Sequence, residues 1–361
     1  MPPTRIVFGV MSAIHPAPAV QDLVDALGPR HRVLVHHDFS QQADFSVGGA
    51  QVAFVDDPVQ TGWGEWAFTQ GIVHLLEAAL AGPPFDYFQL LSPTCLPVRP
   101  IEELERHLVQ GGADFLADFL RLDDDPTALM SHGWRAYARE GSLRFRLLRR
   151  CYLWYFSHGL HFENRAGLGF PLPPPADAPL PARLRASACR WVMRLAARGN
   201  GFSHAFSAQV PCHAGSTWFC ASRRGCEYLV ARAHDVGVAR RFSEIHMPDE
   251  FFFPTMIAVS GMPVLPATHH VSRFDGARPA WLGLDDLPEI DASRRFFARK
   301  FRVEPDDALR VAIRRRREAH AGAAAARDPA SSVTDDRRRA THAGPVAAAA
   351  GAMPSETPGA G

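Results

Sequence analysis

Residues 1–118 alternate short apolar runs with segments of helical period, and few folds accept that alternation. Strands buried on both faces read as continuous apolar runs, and helices between them specify a layered α/β domain. Residues 6–11 read as such a strand, 19–27 as a helix with Val20, Leu23, Val24 and Leu27 on one face, and 32–36 and 52–55 as further strands. The spacing of Ile72, Leu75, Leu76, Ala79 and Leu80 predicts a helix over 64–80, stopped by Gly82-Pro83-Pro84. A strand over 87–91 and a short helix over 101–108 follow.

Beyond residue 118 the pattern loosens. Residues 119–211 carry an Arg-rich stretch from Arg144 to Arg150, then Tyr152, Trp154, Tyr155 and Phe156, and a Pro-rich break at 171–180. Order returns at 215–230, a strand running into a helix, and at 248–259, a helix opened by Pro248. A last compact piece covers 285–318. No aromatic residue lies beyond Phe301 and no Leu or Ile beyond Ile313. A segment so poor in apolar bulk does not offset its ordering entropy, so 319–361 is expected to be a disordered low-complexity tail.

The 39 basic and 38 acidic side chains leave a net charge of +1, which argues against a chain held by charge to nucleic acid. Of the 39, only Lys300 is a lysine. Composition alone reads it as a remnant, because Ala-, Arg- and Pro-rich coding drains lysine. The six cysteines, Cys95, Cys151, Cys189, Cys212, Cys220 and Cys226, sit at no metal-ligand spacing and read as buried thiols. No run approaches the roughly 18 apolar residues of a membrane span. The run at 6–11 is too short for a signal h-region and has no cleavage site. A soluble cytoplasmic protein is the expectation.

Several constellations carry potential chemistry, each beside a plainer alternative. His36-His37-Asp38 ends a predicted strand, where doubly wound sheets bind ligands. Asp38 there accepts bonds from a ribose hydroxyl or a pyrimidine N–H, or simply caps a loop. Adjacent histidines point to opposite sides of a strand, which weighs against a zinc site. Trp63-Gly64-Glu65-Trp66 opens a helix, as a binding turn or as a cap with two core tryptophans. Leu91-Ser92-Pro93-Thr94-Cys95 is a strand-end turn in which no His or Asn arrangement supports a cysteine nucleophile.

Pro248-Asp249-Glu250 precedes Phe251-Phe252-Phe253: two carboxylates that cap a helix, or one partly desolvated and tuned as a general base. Arg299 and Lys300, bracketed by aromatics, form either a phosphate site or snorkelling surface charges. Asp123-Asp124-Asp125 matches a metal-chelating Asp-x-Asp, but Pro126 behind it favours a solvated turn. The Arg144–Arg150 stretch reads as an amphipathic helix packed on its own domain, or as one resting weakly on an anionic membrane face.

Taken in order, Val35-His36-His37-Asp38, Trp63-Gly64-Glu65, Phe88-Gln89-Leu90-Leu91-Ser92, Gly215-Ser216-Thr217-Trp218-Phe219, Pro248-Asp249-Glu250 and Phe297-Ala298-Arg299-Lys300-Phe301 resemble the core-2/I-branching β-1,6-N-acetylglucosaminyltransferase family. Cys95-Leu96-Pro97 stands where many members carry Asp-Tyr-Pro or Asp-Phe-Pro, which makes the chain more similar to the plant-type branch. The resemblance implies a GT-A-like α/β glycosyltransferase fold: a Rossmann-like nucleotide-binding half over 1–118, a variable insertion over 119–211, and an acceptor- and phosphate-binding half over 212–318. It also implies inverting transfer of a GlcNAc- or xylose-type sugar from a UDP-sugar to a hydroxyl acceptor, with no cofactor and no metal. Glu250 is then the general base, and Lys300 with Arg278, 22 positions upstream, faces the leaving diphosphate. Arg273 and Arg299 are substitutes for that cation. Asp38 and Trp63 complete the donor side, and Trp218, Cys95 and Asp249 face the acceptor. Family members are typically membrane-anchored in the secretory pathway, and no anchor is legible here. A contrasting expectation, motivated by the altered Cys95-Leu96 turn, is a non-catalytic carbohydrate- or partner-binding protein that keeps the fold.

Overall fold

The structure, a computed structural model, describes residues 4–156, 162–171, 177–198, 205–275 and 278–327. The chain divides into two units, Met1–Arg314 and Arg315–Gly361. The first begins as the alternation predicts: β1 (Ile6–Ser12), α1 (Ala17–Leu27), β2 (Arg32–His37), β3 (Val52–Phe54), α2 (Trp66–Ala81), β4 (Tyr87–Leu91), β5 (Leu96–Pro97) and α3 (Ile101–Gly111). β1 is buried along its whole length. Val7 and Met11 join one hydrophobic cluster while Ile6, Phe8 and Val10 join another, so the period of two puts apolar side chains on both faces of the sheet.

The middle of the unit holds β6 (Phe115–Leu116), β7 (Phe119–Arg121), α4 (Pro126–Ala136), α5 (Leu143–Tyr155), the hairpin β8 (Phe162–Arg165) and β9 (Leu168–Pro171), and α6 (Leu180–Ala197). Next come β10 (His213–Gly215), β11 (Cys220–Ser222), α7 (Arg223–His234), α8 (Val236–Phe242), α9 (Asp249–Ala258) and β12 (Val264–Leu265). Among the described residues the main sheet has seven strands, ordered β12-β6-β11-β4-β1-β2-β3. Strands β4, β1, β2 and β3 are mutually parallel, whereas β11 runs antiparallel to both β4 and β6.

Two sequence boundaries shift here. The segment over 215–230 does hold a strand running into a helix, β11 into α7, but it does not begin at 215. Gly215 ends β10, which pairs with β7 outside the main sheet, and residues 216–219 cross to β11. A Cβ at Gly215 would collide with the backbone oxygen of Asp118, so only glycine allows that pairing. At the far end, α11 (Ala308–Arg327) includes residues 319–327, which composition assigns to a disordered tail. Alanine, the strongest helix former, fills that stretch and favours a helix there. The expected tail beyond 327 lies outside the described residues.

A small second sheet completes the part that positions the site. β13 (His270–Ser272), β16 (Phe297–Arg299) and β5 lie side by side, with β16 in the middle. Phe297 pairs with Pro97 and Ala298 with Leu96, and the Phe301 amide donates to Thr94 O at 2.9 Å. Between β13 and β16 run the hairpin β14 (Phe274–Asp275) and β15 (Arg278–Pro279), then α10 (Leu287–Ser293). The turn after β4 is thereby joined to the Phe-Ala-Arg-Lys-Phe segment some 200 positions later.

Candidate functional site

α9 begins at Asp249, and nearly every residue in it is buried, including Phe251, Phe252 and Phe253. Pro254 has no N–H to give, so the Glu250 carbonyl lacks its usual partner four residues on. Asp249 is buried and accepts a 2.6 Å bond from the Thr217 hydroxyl, tying the helix to the Gly-Ser-Thr-Trp segment. Burial, followed by the charge of Glu250, pushes the Asp249 carboxyl up to about 6. Glu250 is largely buried too, and its Oε2 accepts from Arg135 Nη1 at 2.6 Å. Its Oε1 has no hydrogen-bond partner among the described residues.

Arg135 comes from α4, 115 positions earlier, and its side chain is only 7% exposed. It is fixed on every side. The guanidinium lies 5.1 Å from the centre of the Phe251 ring, touches Met247 Sδ at 3.1 Å, and contacts His132 Nδ1. Burial, then the charges of Arg135 and Arg165, holds His132 well below its ordinary range, so its imidazole is neutral and accepts.

Cations gather at the end of β16. Arg299 stacks over Trp218, 4.6 Å from guanidinium carbon to ring centre, and Lys300 Nζ lies 4.5 Å over Trp281. Neither they nor Arg278 form an ion pair with a carboxylate among the described residues. Burial lowers the Lys300 pKa, and the charges of Arg299 and then Arg278 lower it further. His15 is pushed down by burial, then by Lys300 and Arg299. Burial lowers Arg299 also, opposed by Cys95 and by the charge of Glu250, so the two ends of the site share a field. The Arg299 Nε is buried with no partner. His15 stands between β1 and α1, at a strand's carboxyl end and a helix amino terminus with no acidic residue in its first turn. Anions settle at such positions.

The remaining predicted residues take different places. Asp38 is saturated by its own loops: Oδ1 accepts from Ser40 N and Oγ, and Oδ2 from Gln41 Nε2, Thr61 N and Thr61 Oγ1. Those bonds hold it far below the usual carboxylate range despite burial. A carboxylate so occupied caps a loop, the plainer of the two sequence readings, and has no lone pair left for a nucleoside. Cys95, the expected acceptor contact, lies beneath the surface. It is wholly buried, with its thiol 3.2 Å from Ser92 Oγ and raised in pKa by burial, because the turn it occupies is welded under β16. Arg273 pairs with Asp286 at 2.7 Å and is not a substitute cation.

Trp63 is 81% exposed and meets His246 edge-on rather than the cations. The Gly64 carbonyl accepts from Met247 N at 2.9 Å, with Gly64 at φ +76°, so this turn borders the Pro-Asp-Glu helix. The Asp123–Asp125 run disperses: Asp123 accepts from Tyr137, Asp124 pairs with Arg121, and Asp125 caps α4. His36 accepts from Val59 N, and His37 bonds Ser12 and Gln42. A cavity of about 740 Å³, lined by Arg121, Tyr137, Arg194 and Phe206 among others, touches none of the predicted site residues.

Sequence reasoning thus missed Arg135, Trp281 and His15, and named Thr217 only as a member of its Gly-Ser-Thr-Trp segment. Arg135 and Trp281 carry no local signal. The position of His15 directly after a strand is one that the strand-end rule would have found.

Neither a protein-family model nor a curated protein sequence matches the chain. A solved galactosyltransferase, LgtC, in complex with donor and acceptor sugar analogues, aligns at 14% identity with a TM-score of 0.24, over 35% of this chain and 51% of its own. The chain therefore spans about half the length of that neighbour, and a likeness of this size carries no argument about function.

Proposed function

We propose that this chain is an inverting glycosyltransferase that moves a sugar from a nucleoside diphosphate donor to a hydroxyl acceptor. The observation that carries the reading is one juxtaposition. Arg299 and Lys300, with the exposed Arg278 and a neutral His15 nearby, have no carboxylate partner among the described residues, and Arg299 feels the charge of a glutamate that has one oxygen anchored and the other free. Uncompensated cations in a half-buried place are costly unless an anion joins them, and a diphosphate supplies up to three charges there.

In the step proposed, Glu250 Oε1 takes the proton of the acceptor hydroxyl as that oxygen attacks the anomeric carbon. The bond from that carbon to the β-phosphate oxygen breaks, and its electron pair leaves with the diphosphate toward Lys300, Arg278 and Arg299. In this reading these cations take the part that a divalent ion plays elsewhere, which is the basis for a metal-independent reaction. UDP as the nucleotide, and a GlcNAc- or xylose-type sugar, rest on the core-2/I-branching resemblance of the six segments. Asp38 shapes the donor loop from behind. Trp218 supports Arg299, and the exposed Trp63 offers a flat face to a sugar ring on the Glu250 side.

Incubation with UDP-sugars in EDTA tests this reading. Donor binding with slow hydrolysis is expected, and binding that strictly needs manganese would overturn the metal-free mechanism. Donor binding with no transfer or hydrolysis across a broad acceptor panel would instead favour the non-catalytic alternative.

A further inference from the structure

α5 and α6 present a surface that the catalytic reading leaves unused. Between them they carry eight arginines and no acidic residue, and no Asp or Glu occurs anywhere over residues 141–162 or 178–226. In a chain whose net charge is +1 this is a strong local accumulation. Each helix buries one face, through Phe145, Leu148 and Cys151 on α5 and through Ala186, Cys189 and Met193 on α6. The Arg144 guanidinium donates to Ala196 O at 2.8 Å, locking one helix against the other.

The opposite faces mix charge with apolar bulk. On α5, Leu147 (55% exposed) and Trp154 (48%) fall on one helical stripe with Leu143; Arg146 and Arg150 lie beside them, Arg150 stacked 4.9 Å over Trp154, and Arg149 lies further round the helix over Trp134. On α6, Leu184 (62%) and Trp191 (64%) share a stripe with Leu180, flanked by Arg183 and Arg194. Arg146, Arg149, Arg150, Arg183 and Arg194 enter no ion pair among the described residues. Exposed Leu and Trp side chains interleaved with unpaired cations have two needs at once: an apolar layer and a negative one.

A second copy of this chain meets only the first need, since arginines would face arginines. Nucleic acid meets the second but leaves the leucines in water. We propose that the α5–α6 face docks on an anionic lipid bilayer, its Leu and Trp side chains in the interface and its arginines at the headgroup phosphates. The helices lie in that interface rather than cross it, because among the described residues no helix is long and apolar enough to span. This proposal stands apart from the catalytic reading and fails or holds without it.

The test is co-sedimentation of the full chain with phosphatidylcholine vesicles, pure or containing about one-third phosphatidylglycerol. Partition onto the anionic vesicles alone is expected, falling at least about tenfold between low and roughly 500 mM salt. R146E/R149E/R150E on α5 and, separately, R183E/R194E on α6 should each lower it about tenfold or more. L147S/W154S should lower it severalfold with charge unchanged. All of these positions are exposed, and circular dichroism checks the fold of each variant. Equal binding to both vesicle types, no binding to either, or partition unchanged by either charge reversal would overturn the proposal. So would tighter binding to polyuridylate than to anionic vesicles, which would assign the face to nucleic acid.

Discussion

Glu250 and Lys300 stand at opposite ends of one candidate site, and the protein treats their charges differently. Glu250 has its own guanidinium at 2.6 Å, and Arg135 in turn is held by a histidine, a thioether and an aromatic face. Among the described residues Lys300 has an indole face beneath it, further cations around it and no carboxylate paired with it. A charge with a fixed partner is positioned before any ligand arrives. Cations crowded without a partner lower one another's pKa and destabilise the empty protein, so they make sense as a receptor for an anion. The carboxylate end is built for orientation, the cationic end for charge that arrives and then develops.

The sharpest way to break that comparison is Glu250→Gln. The amide keeps the shape and loses the basicity, so turnover should fall by roughly two to four orders of magnitude while donor affinity changes little. The substitution also strips Arg135 of its counter-charge, so thermal unfolding is followed in parallel and rates are compared where both proteins are folded. Turnover close to wild type would make the Glu250–Arg135 pair a structural brace and nothing more.

Lys300→Ala probes the other end. Loss of one fixed charge facing a developing anion should lower turnover by about two orders of magnitude and weaken UDP binding as well. Its contrast with Glu250→Gln is the informative quantity, since only the lysine variant should lose nucleotide affinity. Because an ammonium and a guanidinium present charge differently, Lys300→Arg should recover UDP binding better than turnover. Equal UDP affinity in wild type and Lys300→Ala would reduce Lys300 to a surface charge on a tryptophan.

The two ends were not equally legible in the sequence. Periodicity located β1, β2, β4, α1 and α2 to within a residue or two, because buried strands and one-sided helices write their faces into the apolar pattern. Segment order named the stretches but not their meetings, which the structure supplies: Thr217 with Asp249, Gly64 with Met247, and Trp218 under Arg299. Arg135 was illegible, since a pairing across 115 positions leaves no mark on its neighbours in the chain. Asp38 and Arg273 have partners that residue type does not reveal, for a related reason. Residue type told which groups bear charge, but not that five donors had already claimed Asp38 or that Asp286 had claimed Arg273. The lone lysine gained its meaning only from its surroundings.

Asp249 gives the smallest and most specific test of the carboxylate end. Its carboxyl titrates at about 6 in the folded protein, chiefly because burial disfavours the ion and secondly because Glu250 is adjacent. In the unfolded chain an aspartate titrates near roughly 3.9. Below both values it is protonated in either state and costs nothing. Between them the folded protein keeps a proton that the unfolded chain has released, so stability falls as pH rises from about 4 to about 6 and stays lowered above that. Asparagine has no charge to bury and still accepts the Thr217 bond through its amide oxygen. Asp249→Asn should therefore be more stable than wild type by about 2 kcal/mol at pH 7.5, an advantage that vanishes near pH 4. Denaturant unfolding of both proteins across that range measures it. If Asp249→Asn is instead less stable than wild type at pH 7.5 and equal to it near pH 4, the ionised carboxylate is a net contributor through Thr217, and the carboxylate end is as fully compensated at Asp249 as at Glu250.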